Sequence, residues 1–452
     1  MRVAGALLAV TFGLPFGMNP QPVHLVRPPH APLSAVARLG HAVFFDASLS
    51  GSGRLSCASC HSPAHAYGPP GSLSVMRDGL RAVPSLMYLE RQPPFTIGPD
   101  GGEADVATPV PVTAAQIAHA AKVAQLAPST PAVVPQGGLF WDGRADTLQA
   151  QATGPLFDPH EMNAQSTARV AERLRAAPYA SAFRQLFGAE VLHDARGLLA
   201  EAMFAVARYQ IEAPSFHPYS SKYDAWLEGH ARFTPAEMRG YRAFTDPHGA
   251  NCAACHLAQP TADGLPPLFT DHQFEALAVP RNPAILANRN AAFHDLGLCG
   301  PVRRDLRRAR ADCGLFATPT LRNVATRHAF FHNGVYHTLA GVLDFYNLRD
   351  VQPARVYPRD RSGRIRRYDD LPAADVANID RSDAPLNRTV GEKPTMTPAQ
   401  ERDIIAFLRT LTDGYTPDWA HAWPRRNAGR IAPRPAGIGA SAYVNQGRPH
   451  DR

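Results

Sequence analysis

Cys57-Ala58-Ser59-Cys60-His61 and, 195 residues on, Cys252-Ala253-Ala254-Cys255-His256 are the stretches on which the reading of this chain turns. Each sets two thiols three residues apart and follows them with a histidine. Two sulfurs at that spacing reach the two vinyl groups of one porphyrin, and the imidazole then lies beneath the iron. A redox pair of cysteines has no need of the adjacent histidine. A zinc site would have to be assembled from both distant units. The pattern therefore predicts two covalently bound haem c groups, on Cys57 and Cys60 and on Cys252 and Cys255, with His61 and His256 as proximal iron ligands.

Two cysteines remain, Cys299 and Cys313, on either side of an arginine-rich run from Arg303 to Arg310. A leftover pair in an exported protein predicts a disulfide, the alternative being two thiols. Closing a loop of about 15 residues would stabilise the fold by roughly 3 kcal/mol in the chain-entropy model. Export is expected from Met1-Arg2 and the apolar run Val3 to Met18, which resembles a secretory signal and is shorter than a bilayer span. An uncleaved N-terminal anchor over residues 1–20 stays open, and no later segment is apolar enough to span. The expected location is the periplasm.

The 452 residues suffice for two cores of ordinary size, and 45% hydrophobic with 19% charged residues marks a globular chain. The net charge of +7 is spread along the sequence, which argues against a nucleic-acid partner. The one dense basic run, broken by Asp305 and Leu306, reads as a solvated loop or a rim for an acidic protein. The 43 prolines predict long ordered connections, above all over 91–138 and 350–396.

Helical periodicity covers Leu33 to Asp46, Thr167 to Phe187 and Asp194 to Ile211. Thr234-Pro235-Ala236-Glu237 and Thr397-Pro398-Ala399-Gln400 are capping boxes with proline at the first helical position. Strand signals are weak. The fold class predicted is mainly α, with two c-type cytochrome domains, 30–225 and 226–425, and a loose tail over 426–452.

Other phrases point to one superfamily. Phe140-Trp141-Asp142-Gly143-Arg144 is followed by Gln151 and by Pro159-His160-Glu161-Met162. Then come Thr318-Pro319-Thr320-Leu321-Arg322-Asn323-Val324 and Phe331-His332-Asn333-Gly334. In content and order, from about residue 33 to about 415, the chain resembles the MauG and diheme cytochrome c peroxidase superfamily. The paired cysteines near Arg303 and the phrase Phe345-Tyr346-Asn347-Leu348-Arg349-Asp350 look closest to its MbnH-like, methanobactin-associated branch. Members of that branch oxidise tryptophan on a partner protein.

The resemblance implies roles. Where ordinary diheme peroxidases carry a methionine as the second axial ligand of the C-terminal haem, this chain has Tyr346, as MauG-like enzymes do. No histidine occurs from Gly68 to Thr113, where many peroxidases cap the first iron, so the first haem is expected to keep an open side. Glu161 is the expected proton shuttle for hydrogen peroxide, Gln151 its hydrogen-bonding neighbour, and Trp141 the relay between the haems. A calcium ion is common between the haems, yet Ala82 stands where the family has a ligating asparagine. The implied activity is peroxide-dependent oxidation of aromatic residues on a partner, with exits at surface aromatics such as Trp226. The alternatives are an ordinary peroxidase drawing electrons from a small cytochrome or copper protein, and a plain electron carrier.

Overall fold

The computed structural model describes residues 16–29, 31–71, 75, 78–99 and 133–416. Most of the N-terminal apolar run, the whole of 100–132 and the 426–452 tail lie outside these residues, as does part of the Gly68 to Thr113 loop. The described secondary structure is mainly helical, with two small antiparallel pairs. One pairs β1 (Thr96–Pro99) with β2 (Val133–Gln136), and the other pairs β3 (Phe274–Glu275) with β4 (Phe316–Ala317).

The N-terminal half is built on α1 (Ala35–Phe44), α2 (Cys57–Cys60), α3 (Leu148–Phe157), α4 (Thr167–Ala176), α5 (Ala180–Phe187) and α6 (Ala195–Glu212). Ser34 caps α1 by accepting from the amide of Ala37, and Asp194 caps α6 through the amide of Arg196 at 2.9 Å. The single helix expected over Thr167 to Phe187 is two. Pro178 pushes Ala177 into extended backbone (φ −68°, ψ 147°), so α4 ends and α5 restarts after the turn.

The C-terminal half uses α7 (Lys222–Leu227), α8 (Pro235–Thr245), α9 (Leu339–Leu348) and α10 (Pro398–Arg409). Both expected capping boxes form. Thr234 and Glu237 bond reciprocally at the start of α8, as Thr397 and Gln400 do at the start of α10.

Each half crosses two helices at a glycine. A Cβ on Gly40 of α1 would stand 1.8 Å from the carbonyl oxygen of Ala205 in α6. A Cβ on Gly240 of α8 would stand 1.9 Å from that of Asp403 in α10. Only glycine permits backbones this close. The helix that precedes each Cys-x-x-Cys-His unit is thereby pressed onto a late helix of its own half.

Two buried apolar clusters result. One gathers Phe44, Phe183, Phe216 and Tyr219, the other Tyr223, Phe244, Phe269 and Phe407. The changeover falls between Tyr219 and Tyr223, and there we propose the division between the halves. Both clusters belong to one compact unit that ends at Tyr415. The proline-rich 350–396 segment is ordered around its own small core of Tyr357, Tyr368, Leu371 and Ile379. Beside it the buried Arg349 donates to the carbonyls of Leu277 at 3.0 Å and Asp380 at 2.5 Å.

Two expectations need correction. Trp226 is not at the surface. It is 3% exposed, stacks on Phe233 at 4.6 Å and donates its indole N–H to the carbonyl of Gly17. A ring of that size is worth more in the aromatic core of α7 and α8 than in water. The basic run is not wholly solvated either. Arg303 is buried, lies 3.7 Å over the Phe95 ring and donates to the carbonyl of Asp142 at 2.9 Å. Arg304, Arg307 and Arg308 stay exposed. Cys299 and Cys313 are joined in a disulfide that closes this loop.

Candidate haem sites and the cavity at the second unit

The first Cys-x-x-Cys-His unit folds as a single helical turn because Ser56 and Ser59 close it. The Ser56 amide donates to Ser59 Oγ at 3.0 Å, and the His61 amide donates to the Cys57 carbonyl at 2.9 Å. His61 Nδ1–H donates to the Tyr67 carbonyl at 3.1 Å, which leaves Nε2 as the free lone pair. Burial lowers the pKa of the imidazole to about 4, so it is neutral and able to bind a metal.

The second unit repeats this with a 3-10 turn. Asn251 enters it with φ +50°, and the His256 amide donates to the Cys252 carbonyl at 2.9 Å. His256 Nδ1–H donates to the Phe269 carbonyl at 2.9 Å, and burial again lowers its pKa to about 4. Burial pushes the Cys57 and Cys252 thiols up to about 12. Four thiols and two imidazoles, each with Nδ1 committed to a backbone carbonyl, fit covalent attachment of two haems.

A cavity of about 310 Å³ is lined by Gln151, Trp141, Arg327, His332, His256 and Tyr346, among others. Tyr346 projects from α9, which Thr338 caps through the amide of Gly341 at 3.1 Å. Burial holds its hydroxyl above the ordinary tyrosine range, and the neighbouring Cys255 and Cys252 add to the effect. Tyr346 thus shares a cavity with His256 and stands close to the thiols of the same unit. Met396 lines that cavity as well, its amide held by Asn347 Oδ1 at 2.9 Å.

Gln151 lies in α3, 6% exposed, and its side-chain amide makes no hydrogen bond among the described residues. Glu161 lies in the turn after α3, where its amide donates to the Asp158 carbonyl at 3.1 Å. Burial pushes its carboxyl up to about 7, with the Asp158 charge adding and Arg144 opposing. The same carboxylate raises the pKa of the Cys60 thiol, second to burial, which puts Glu161 beside the first unit. Gln151 is on the cavity wall and Glu161 is not. The ten-residue spacing between them is one helix plus its closing turn.

Trp141 is held from two directions. Its indole N–H donates to the Ala82 carbonyl at 2.8 Å, and its own carbonyl accepts from the amide of Ala317 at 2.9 Å. The next residue, Asp142, is completely buried and pairs with Arg81 at 2.7 Å and Arg144 at 2.8 Å. Arg81 also pairs with Asp295 at 2.7 Å. Burial opposes the Arg81 charge, but Asp295 and Asp142 outweigh it and hold the guanidinium above its ordinary value. Gly143 turns with φ +60°, where a Cβ would meet the Phe274 and Phe95 rings at 2.8 Å.

Several of these residues escaped the sequence. Arg81 belongs to none of the phrases that carry the resemblance. Its partner Asp295 is 214 residues away and carries no motif. Arg327 had no signal at all. His332, from Phe331-His332-Asn333-Gly334, stacks on Phe316 at 3.5 Å and faces Asp370 at 3.5 Å. No feature of the described residues assigns a site to the calcium ion implied by resemblance. Ala82 has no side-chain oxygen, its carbonyl accepts from Trp141, and no cluster of three His, Cys, Asp or Glu side chains is placed to hold a metal ion among them.

A family model for di-haem cytochrome c peroxidase matches residues 34–232. The methylamine utilization protein MauG of Paracoccus denitrificans is 35% identical over 327 residues, which cover 69% of this chain and 74% of that protein. The chain belongs to the MauG and di-haem cytochrome c peroxidase family. Members are haem-dependent oxidoreductases with two haem c groups, and the two units described above are where this member would hold them. The diheme peroxidase BthA of Burkholderia thailandensis has the same fold at TM-score 0.71 and 36% identity, over 88% of this chain and 92% of that one. A MauG-like protein associated with microbial copper homeostasis shares the fold at TM-score 0.55 and 24% identity, over 90% of this chain and 96% of that one.

Proposed function

We propose that this enzyme uses hydrogen peroxide to oxidise aromatic residues, tryptophan foremost, on a partner protein that stays at its surface. The observation that carries this reading is Tyr346 in one cavity with His256, close to Cys252 and Cys255. Were Tyr346 to hold the iron of that haem, its anionic oxygen would favour higher oxidation states than a thioether does. When bound, the haems supply the iron at which peroxide is reduced and the route by which its electrons arrive.

The reaction balances as one peroxide, two protons and two electrons giving two waters, the electrons coming from the partner. Glu161, poised near 7, takes the proton from the near oxygen and delivers it to the far one. Gln151, buried and without a side-chain hydrogen bond among the described residues, holds the peroxide by hydrogen bonds. Trp141 passes electrons between the sites. The exposed Arg304, Arg307 and Arg308 offer a face for an acidic partner. Among the described residues no helix is long and apolar enough to cross a membrane, and we place the enzyme in the periplasm on its haem chemistry and N-terminal run.

Met396 supports a second reading. A thioether in the same cavity suits an ordinary peroxidase fed by a small redox protein. Electron paramagnetic resonance of the ferric enzyme separates the two. One high-spin and one low-spin haem, both signals lost on one equivalent of peroxide without reductant, is the expected result. Two low-spin haems that respond only after partial reduction would overturn it in favour of the peroxidase.

A further inference from the structure

The chemistry above leaves one half-buried charge on the cavity wall without a purpose. Arg327 follows the 3-10 turn Val324–Thr326 of the C-terminal half, but its guanidinium reaches into the N-terminal half. There Nη2 donates to the Val83 carbonyl at 2.9 Å. Nη1 comes within 3.6 Å of where a Cβ on Gly68 would stand, in the loop that follows His61. The same side chain lines the cavity that contains His256 and Tyr346. Arg327 therefore stands where the two haem units meet.

The deeply buried arginines have carboxylate partners: Arg81 has Asp142 and Asp295, Arg322 has Asp224, and Arg349 has Asp350. Arg327 has no carboxylate partner among the described residues. Burial alone pulls its pKa down to about 10. A cation that faces a largely apolar cavity with one carbonyl as its partner is poorly compensated once that cavity is filled and water is excluded from it. The missing anion must come with something that fills the cavity. Haem brings carboxylate side chains, and a guanidinium matches a carboxylate in a two-point geometry.

We propose that Arg327 is the counter-ion of a haem carboxylate at the junction of the two sites, a single cation through which the C-terminal half positions a haem against the N-terminal half. Its charge also favours the reduced iron, so it raises the potential of the haem it holds. This rests on haem attachment alone and does not depend on which substrate the enzyme oxidises.

The test uses the intact diheme protein and its Arg327→Met and Arg327→Lys variants. Resonance Raman spectra read the bending mode of the haem carboxylates, and spectroelectrochemistry reads both midpoint potentials against pH. In Arg327→Met the carboxylate mode moves to its weakly hydrogen-bonded position. One haem potential falls and becomes pH-dependent as the released carboxylate takes up a proton. Arg327→Lys keeps the potential near that of the parent but shifts the mode, because an ammonium cannot make the two-point contact. A carboxylate mode unchanged in Arg327→Met overturns the proposal and reduces Arg327 to a tether for Val83. If Arg327→Met does not load both haems, an unchanged mode in Arg327→Lys overturns it equally. Failure of the peroxide experiment above would leave these spectra as they are.

Discussion

The indole N–H of Trp141 and the carbonyl of Ala82 lie 2.8 Å apart in a hydrogen bond that ties the Trp-Asp-Gly-Arg turn to the segment preceding Pro84. The bond holds the ring at a cavity that Gln151 and His256 also line. Trp141→Phe keeps an aromatic ring but removes the donor. The expected cost in stability is about 1 kcal/mol. The larger expected effect is functional. Peroxide should still react at the first haem, but the low-spin signal of the second should respond many times more slowly. Rapid-freeze paramagnetic resonance would show this, and equal rates in variant and parent would remove Trp141 from the relay.

Glu161 makes a prediction with a definite sign. Its carboxyl is raised to about 7 by burial, so the charged form is the disfavoured one in the folded protein. As a shuttle it must begin ionised, so the peroxide rate should rise with pH through about 7 and then level. Glu161→Gln should lower that rate by roughly 10²- to 10⁴-fold and abolish this limb. A stopped-flow profile across pH checks both.

The same shift has a consequence for stability. The contribution of this carboxyl is complete below its ordinary value of 4.5 and is lost as pH rises through about 7, because the unfolded chain ionises more readily. Glu161→Gln should therefore unfold at a higher temperature than the parent above pH 7, with the difference vanishing below pH 4.5. Calorimetry at several pH values decides it. A variant less stable than the parent at high pH would contradict the burial argument.

Tyr346→Phe deletes the oxygen and keeps the ring against Phe331 and Phe345, at 5.8 and 5.4 Å. If that oxygen binds iron, the second haem should lose its sixth ligand or exchange it for Met396, and its ferric spectrum should change accordingly. The double variant with Met396→Leu separates these outcomes. A ferric spectrum identical to that of the parent would withdraw Tyr346 as a ligand.

Arg81 is the strut of the Trp141 turn, pairing with Asp142 and Asp295 where water is excluded. Arg81→Met leaves two carboxylates buried without their shared cation. A loss of about 3–5 kcal/mol is expected, since one partner of a buried pair is removed without the other. Denaturant titration measures it. A change below about 1 kcal/mol would mean that the pair is no better than a surface bridge.

Part of this was legible without coordinates. The capping boxes at Thr234 and Thr397 act within one helical turn, and both formed. The helices over α1 and α6 follow from the spacing of their apolar residues. Thr167 to Phe187 misled because its periodicity runs through Pro178, and backbone sterics outrank the pattern. Trp226 misled because amphipathic indole suits both surface and core, and only its neighbours Phe233 and Tyr241 decide.

What the sequence by itself determined is the chemistry of attachment. A Cys-x-x-Cys-His unit carries its thiols and its imidazole within five consecutive residues, and covalent geometry does the rest. The tertiary structure alone decided which charges lie out of water and what they face. Arg327 meets Val83 across 244 residues and Arg81 meets Asp295 across 214. The physical reason is that desolvation is collective. A side chain loses its water only when elements from both halves close over it, and no local run of residues encodes that closure.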